Sequence, residues 1–189
     1  MGAIKCFPGY KLFAGILFSE GCRKEDITGV LEKEIDEIDY ESPVLDFNYT
    51  DYYSLEMGGT IKRFFVSFKK LVSPEKLSDI KILSNDIEKR FAGAGVHGVT
   101  GPGDNLRRKV NIDPGILNGS RLILASTKDN AHRVPLDKGI YGEITLLFSK
   151  GSWQPLHWTY IDYSSPEYGK ILSDIRNRYK SDTGKKTFP

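Results

Sequence analysis

Residues Asn111–Phe148 read NIDPGILNGSRLILASTKDNAHRVPLDKGIYGEITLLF. Two apolar runs, Leu122–Ala125 and Ile144–Phe148, bracket a polar insert carrying Lys128, Asp129, His132 and Arg133. Runs of this length suit buried strands, so the charged insert is expected at their shared rim, where a site can form.

Working outward, Tyr10–Phe18 (YKLFAGILF), bounded by Pro8-Gly9 and Ser19-Glu20-Gly21, reads as a central strand. From Arg23 the period changes: Ile27, Val30, Leu31, Ile35 and Ile38 share one helical face. Ile38–Phe47 is a strand broken by Pro43, hence an edge or a bend. Asn48–Gly59 is a tyrosine-rich turn. In Thr60–Leu71, Phe64, Val66 and Phe68 alternate with Arg63, Phe65, Ser67 and Lys69, a strand with one largely polar face.

Ser73-Pro74-Glu75 and Ser165-Pro166-Glu167 both carry helix-start chemistry. Leu77, Ile80, Leu83, Ile87 and Phe91 continue the first helix, and Gly93 ends it. Tyr168, Ile171, Leu172, Ile175 and Tyr179 form the face of the other, with a frayed tail from Ser181. Residues 93–109 are glycine-rich and read as a mobile loop. Val110–Ile112, Arg121–Ala125, Ala131–Pro135, Gly139–Lys150 and Trp153–Tyr160 supply further strand segments.

The chain also matches itself. Leu17–Gly21 (LFSEG) resembles Leu147–Gly151 (LFSKG), and Asp51–Gly58 resembles Asp162–Gly169. A duplication predicts halves at about 10–92 and 110–180, with Asp51 and Asp162 in equivalent places; chance matching in a Tyr-, Ser- and Gly-rich chain is the alternative. Helices mixed with local strand pairings favour one α+β domain over residues 1–189. Its sheet is expected to be mixed and mainly antiparallel, with about three helices and, on the duplication reading, a duplicated ferredoxin-like core.

Composition narrows function by exclusion. A net charge of +2 does not by itself call for a nucleic-acid or membrane partner. No apolar run approaches the ~20 residues of a membrane span, and the start lacks a secretory signal. Two cysteines, Cys6 and Cys22, fit free thiols in a reducing cytoplasm. Gly93–Gly98 spells GxGxxG, but a helix precedes it and a loop follows, the reverse of a dinucleotide fingerprint. His97, His132 and His157 lack second ligands at short spacing. His157-Trp158-Thr159 has no matching histidine in the first half, so a two-histidine phosphoesterase is disfavoured.

The densest polar cluster is Lys128–Arg133. Lysine and a forked arginine suit phosphate, and histidine moves protons near neutral pH; the bland reading is a solvated turn. Glu143, set among apolar residues, needs a partner. Alternation puts it with Tyr141 and Thr145, opposite Ile144, Leu146 and Phe148. It either pairs with Arg133 or Lys128, or ligates a divalent cation such as Mg with Asp113, Asp51 or Asp162. Asn111–Gly115 is first of all a turn.

Two functions follow as expectations. One is a site for a phosphorylated ligand, a nucleotide or RNA end, with Asp113, His132 and Glu143 as catalytic candidates. Lys128, Arg133, Asp51, Asp162 and Arg63 would bind the ligand, with no structural metal. The other is a non-enzymatic RNA- or protein-binding module, with Tyr49, Tyr52, Tyr53, Tyr160 and Tyr163 stacking on bases and Lys62, Arg63, Lys69, Lys70, Arg107 and Arg108 meeting phosphates.

Several motifs together carry a resemblance: YTDYY at 49–53 followed by Glu56-Met57-Gly58, KRFFVSF at 62–68, NIDPG at 111–115, LASTKDNAHR at 124–133, GIYGEITL at 139–146 and WTYIDY at 158–163. Over nearly the whole chain the sequence resembles a prokaryotic family described as domain of unknown function 4416. The resemblance implies a single-domain cytosolic protein and brings no reaction with it. Departures fall at Gly93–Asp104 and at His157.

Overall fold

All ten residues of β1 (Tyr10–Ser19) are buried, because the strand is central and both of its faces are covered. It pairs antiparallel with β4 (Ile61–Val72) on one side and β5 (Val110–Leu117) on the other. The computed structural model describes residues 2–3, 6–92 and 108–184. Between β1 and β4 lie α1 (Lys24–Glu34), β2 (Ile38–Glu41), β3 (Leu45–Asp46) and α2 (Tyr52–Met57), and α3 (Leu77–Arg90) follows β4. After β5 come β6 (Arg121–Ser126), β7 (Val134–Asp137), β8 (Ile140–Ser149), β9 (Ser152–Pro155) and α4 (Pro166–Asp182).

The sheet order is β2-β4-β1-β5-β6-β8-β7, with β3 also on β4 and β9 also on β8. The class is α+β with a mainly antiparallel sheet, as expected, and α2 is the helix that the tyrosine-rich turn concealed. Pro43 separates β2 from β3, and both pair with β4. Among the described residues no helix is long and apolar enough to cross a membrane.

Elements β1-α1-β2-β4-α3-β5, in the spatial order β2-β4-β1-β5, form the split β-α-β arrangement of one ferredoxin-like unit. The rest of the chain does not repeat it: β6, β7, β8 and β9 follow one another without an intervening helix. The shorter self-match has a local counterpart, since β1 and β8 each end in Ser and reach a positive-φ glycine, Gly21 or Gly151. The longer match does not. Asp51 is exposed ahead of α2, whereas Asp162 is buried and the helix after it starts only at Pro166.

One face of the sheet packs Leu12, Ala14 and Ile16 with Phe64, Val66 and Phe68 beneath Ile27 and Leu31 of α1 and Leu77 and Ile87 of α3. The other packs Phe13, Phe65, Leu117, Leu122 and Leu124 beneath Tyr168, Ile171, Leu172 and Ile175 of α4. Met57 of α2 covers Leu17 and Ile61. The expected polar face of β4 is therefore corrected: Arg63, Phe65 and Ser67 are buried because a second helical layer covers them.

Ser165 caps α4 by accepting the Tyr168 amide at 3.2 Å. The Ser73 hydroxyl instead donates to Glu75, and a 3-10 turn (Pro74–Lys76) precedes α3. Of the expected frayed tail, residues 185–189 lie outside the described residues, and its start is corrected, since α4 runs to Asp182. Its carboxylate takes Lys11 at 2.7 Å, and Asp39 takes the same ammonium. Lys11 is fully buried within the apolar run.

Breaking a buried ion pair costs about 3–5 kcal/mol. Asp39 and Asp182 retain 17% and 36% side-chain exposure, which lowers the cost here. Lys11→Met is expected to cost about 2 kcal/mol, lowering Tm by about 4–8 °C in a thermal melt.

Candidate functional site

The site begins where two strands part. β5 pairs with β6 only over Gly115–Leu117, yet stays paired with β1 back to Val110. Asn111–Gly115 is thus a strand and not the expected turn; burial of Ile112 and Ile116 on one face outweighs the local Asp-Pro-Gly preference. The peptide groups of Ile112 point away from β1, and those of Pro114, two residues on, point the same way. Pro114 has no N–H to offer β6, so the ladder stops there. Helix α3 supplies the missing partners. Glu88 accepts the Ile112 amide at 2.6 Å, and the Lys81 ammonium donates to the Ile112 carbonyl at 2.9 Å. Gly115 closes the paired side, because a Cβ there would lie 2.6 Å from the Phe13 ring and 2.7 Å from the Ile123 carbonyl oxygen.

Beyond the fork a cavity of about 640 Å³ opens on the α4 face. Its walls are Asn111 and Asp113 of β5, Leu124–Ser126 of β6 with Thr127 and Lys128, Arg133, Glu143 of β8, Tyr160–Tyr163, the Tyr49–Tyr53 region with Glu56, and Arg63. Lys81, Asn85 and Arg108 close its α3 side.

Arg63 sits at the floor, 2% exposed. Its Nη2 donates to Asp162 at 2.8 Å and its Nε to the Tyr168 hydroxyl at 3.3 Å. The guanidinium lies 5.4–5.7 Å from the ring centres of Phe47, Phe65, Tyr163 and Tyr168. Burial opposes its charge, but Tyr163, Tyr168, Asp162 and Asp113 more than compensate and hold its pKa well above the usual value. Nη1 is 3.5 Å from Asp113 and has no hydrogen-bond partner among the described residues. Asp113 in turn accepts from Asn111 at 2.7 Å. Arg108 donates to Glu88, Asn111 and Glu56. Burial raises the Glu88 pKa, against the pull of Lys81 and the Ile112 amide.

The opposite wall depends on a bulge. Ile123 faces Ile144 while Leu122 faces Leu146, so Thr145 is the extra residue. Glu143 and Leu146 therefore share a face that strict alternation assigned to opposite sides. The freed carbonyls of Ile144 and Thr145 accept Trp158 Nε1 at 2.9 Å and the Thr159 hydroxyl at 2.5 Å, which brings Tyr160 to the cavity. Glu143 accepts Arg133 Nε at 2.9 Å and meets His132 Nε2 at 3.0 Å; His132 stacks on Trp158. Arg133 also donates to Ser126, the Lys128 carbonyl and Tyr160.

A family model, domain of unknown function (DUF4416), matches residues 8–179. The chain belongs to the DUF4416 family. No curated protein and no solved structure matches it. The DUF4416 region runs from just before β1 into α4 and contains every cavity residue named above.

Of the residues singled out in this DUF4416 chain by sequence, Asp113, Glu143, Lys128, Arg133, Asp162 and Arg63 all line the cavity. His132 reaches it only through Glu143. Asp51 does not line it; its backbone carbonyl accepts from Ser54 and Leu55 at the start of α2. Among the described residues no three His, Cys, Asp or Glu side chains are placed to hold a metal ion. The basic surface expected for RNA is dispersed: Arg63 is buried, Lys69 and Lys70 pair with Glu37 and Asp36, and Arg108 is held by acids. His97, Arg107 and the GxGxxG segment lie outside the described residues. Lys81 and Asn111 are not marked by anything local, and Arg108 is marked only as one of several basic residues for a surface. Arg63 did carry a signal of burial: adjacent Phe64 and Phe65 point to opposite faces, and both need cover.

Burial pushes the phenols of Tyr53, Tyr160 and Tyr163 up, against the pull of nearby arginines, and that of Tyr168 up to about 12. Folded values above the unfolded value of about 10 mean that stability is complete below that pH and declines as the pH rises through the folded values. Spectrophotometric titration is expected to find Tyr53, Tyr163 and Tyr168 still protonated at about pH 11 in the native protein, and all ten tyrosines ionised there once it is unfolded.

Asp162→Ala leaves Arg63 without its closest anion. It is expected to cost about 3 kcal/mol, a Tm drop of about 6–12 °C in a thermal melt.

Proposed function

We propose that the cavity binds a phosphorylated small molecule of nucleotide size, either free or as the terminal nucleotide of an RNA. The observation that carries this reading is one hollow joining an aromatic wall, a polar floor and an uncommitted cation. Tyr49, Tyr52, Tyr53 and Tyr160 supply rings, and stacking of a base on such a ring contributes about 1–3 kcal/mol. The volume of about 640 Å³ falls within the range of about 300–1,000 Å³ typical of small-molecule sites.

Charge decides which end takes the phosphate. Asp113 and Asp162 crowd Arg63 at the floor, so a phosphate there meets two carboxylates. Lys128 is exposed at the rim, makes no ion pair among the described residues and stands 5.8 Å from the Tyr52 ring centre. It is the phosphate partner in this reading. Asp113 is the candidate acid or base that faces the ligand, since Glu143 and His132 are engaged with each other. The free thiols of Cys6 and Cys22 fit a reducing cytoplasmic setting.

A thermal-shift screen with nucleoside monophosphates tests the reading. A ligand at about 100 times its Kd stabilises by about 2.7 kcal/mol, which raises Tm by about 5–10 °C here. Lys128→Ala is expected to weaken binding about tenfold while leaving the melting point of the free protein within about 1 °C. Absence of any shift at millimolar nucleotide would sink the proposal.

A further inference from the structure

Two buried donors at the cavity floor are open. Arg63 is 2% exposed and Tyr163 is 3% exposed. Neither Arg63 Nη1 nor Tyr163 Oη has a hydrogen-bond partner among the described residues. The two lie side by side against β1: a Cβ built on Gly15 would be 2.9 Å from Oη and 3.0 Å from both Nη1 and Phe65 Cε1, so only glycine lets both donors pack this close to the strand. Asp113, directly across the β1–β5 ladder from Gly15, brings a carboxylate beside the same two donors. Its Oδ2 is 3.5 Å from Nη1, and its Oδ1 accepts no hydrogen bond among the described residues, with Lys81 Nζ 3.9 Å away.

We propose that this floor reads a lactam edge, a carbonyl oxygen beside a ring N–H, so that the cavity prefers nucleotides with a keto base over those with an amino base. This rests on the nucleotide-binding reading and deepens it. A carbonyl oxygen has two lone pairs and takes both donors, while the adjacent ring N–H donates to Asp113. Adenine or cytosine reverses the pattern. The exocyclic amine then faces Arg63 and Tyr163, and the ring nitrogen turns its lone pair toward the carboxylate. Each buried mismatch leaves a polar group unpaired in a site from which water is excluded, and hydrogen-bonding sites discriminate on that basis. A phosphate oxygen fits the two donors but not the carboxylates beside them. A neutral lactam fits both, its carbonyl accepting from the two donors and its N–H donating to Asp113.

Burial keeps the Tyr163 phenol protonated far above neutral pH, so it is a standing donor. Its ring packs edge-on against Phe65 and Tyr168, contacts that phenylalanine preserves. Tyr163→Phe therefore deletes an unpaired hydroxyl with little disturbance to the free protein.

The test is calorimetric titration with isosteric pairs, inosine against adenosine monophosphate and uridine against cytidine monophosphate, with ribose 5-phosphate as the probe of the phosphate end. The keto member of each pair is expected to bind about tenfold or more tightly. Tyr163→Phe and Asp113→Asn are each expected to reduce that ratio at least about threefold, lowering affinity for the keto member more than for the amino member. Equal affinities within each pair, or a ratio unchanged in Tyr163→Phe, overturn the lactam assignment and leave nucleotide binding standing. If neither the nucleotides nor ribose 5-phosphate bind, both readings fall.

Discussion

The arrangement of the α4 face follows from one buried cation. Taking a guanidinium out of water costs several kcal/mol, and the fold must return that through anions, hydrogen bonds and aromatic faces. Arg63 draws these from distant parts of the chain: Asp162 and Tyr163 from the segment before α4, Tyr168 from α4 itself, Asp113 from β5, and Phe47 from the stretch after β3. Those contacts fix the approach of α4 and hold the 160–163 segment over the sheet. A cation so enclosed also excludes an ordinary apolar floor, because its unmade hydrogen bond needs an acceptor. The polarity of the cavity is thus a consequence of how α4 is anchored.

The second constraint is backbone accounting. A strand that loses its neighbour exposes N–H and C=O groups that burial penalises. At Ile112 the penalty is met by Glu88 and Lys81, which act in place of β6. Because those side chains come from the helix on the opposite face, the fork is closed behind and open in front. The bulge at Thr145 does the equivalent work on the other wall, where Trp158 and Thr159 take the carbonyls left without a ladder partner. The cavity is bounded by two interruptions of one sheet, each repaired by side chains.

This explains what could be read in advance. The apolar run of β1, the helical periods of α1, α3 and α4 and the rim position of Lys128 and Arg133 depend on local pattern, and they were legible. Asp113 was misread as part of a turn because Asp-Pro-Gly has turn chemistry in isolation, and only the long-range ladder with β1 straightens it. Alternation failed at Glu143 for a related reason: one extra residue, Thr145, reverses the faces on either side of it. Lys81 and Glu88 fall outside the apolar face of Leu77, Ile80, Leu83, Ile87 and Phe91. Their burial depends on the gap between β5 and β6, which no local window contains.

On the proposed reading, the charges of the cavity bear on how it would discriminate among ligands. Arg63 is matched by Asp162 and Asp113, Arg133 by Glu143, and Arg108 by Glu56 and Glu88. Lys81 donates to a carbonyl and stands near Asp113, which among the described residues leaves Lys128 as the surplus cation, at the mouth. A hollow so nearly neutral gains little selectivity from net charge. What remains is the pattern of donors and acceptors at its floor, set by Arg63 of β4, Asp113 of β5 and Tyr163 of the segment before α4. On that reading, selectivity is a matter of which hydrogen bonds a ligand can complete, because the described residues leave only a few of them open.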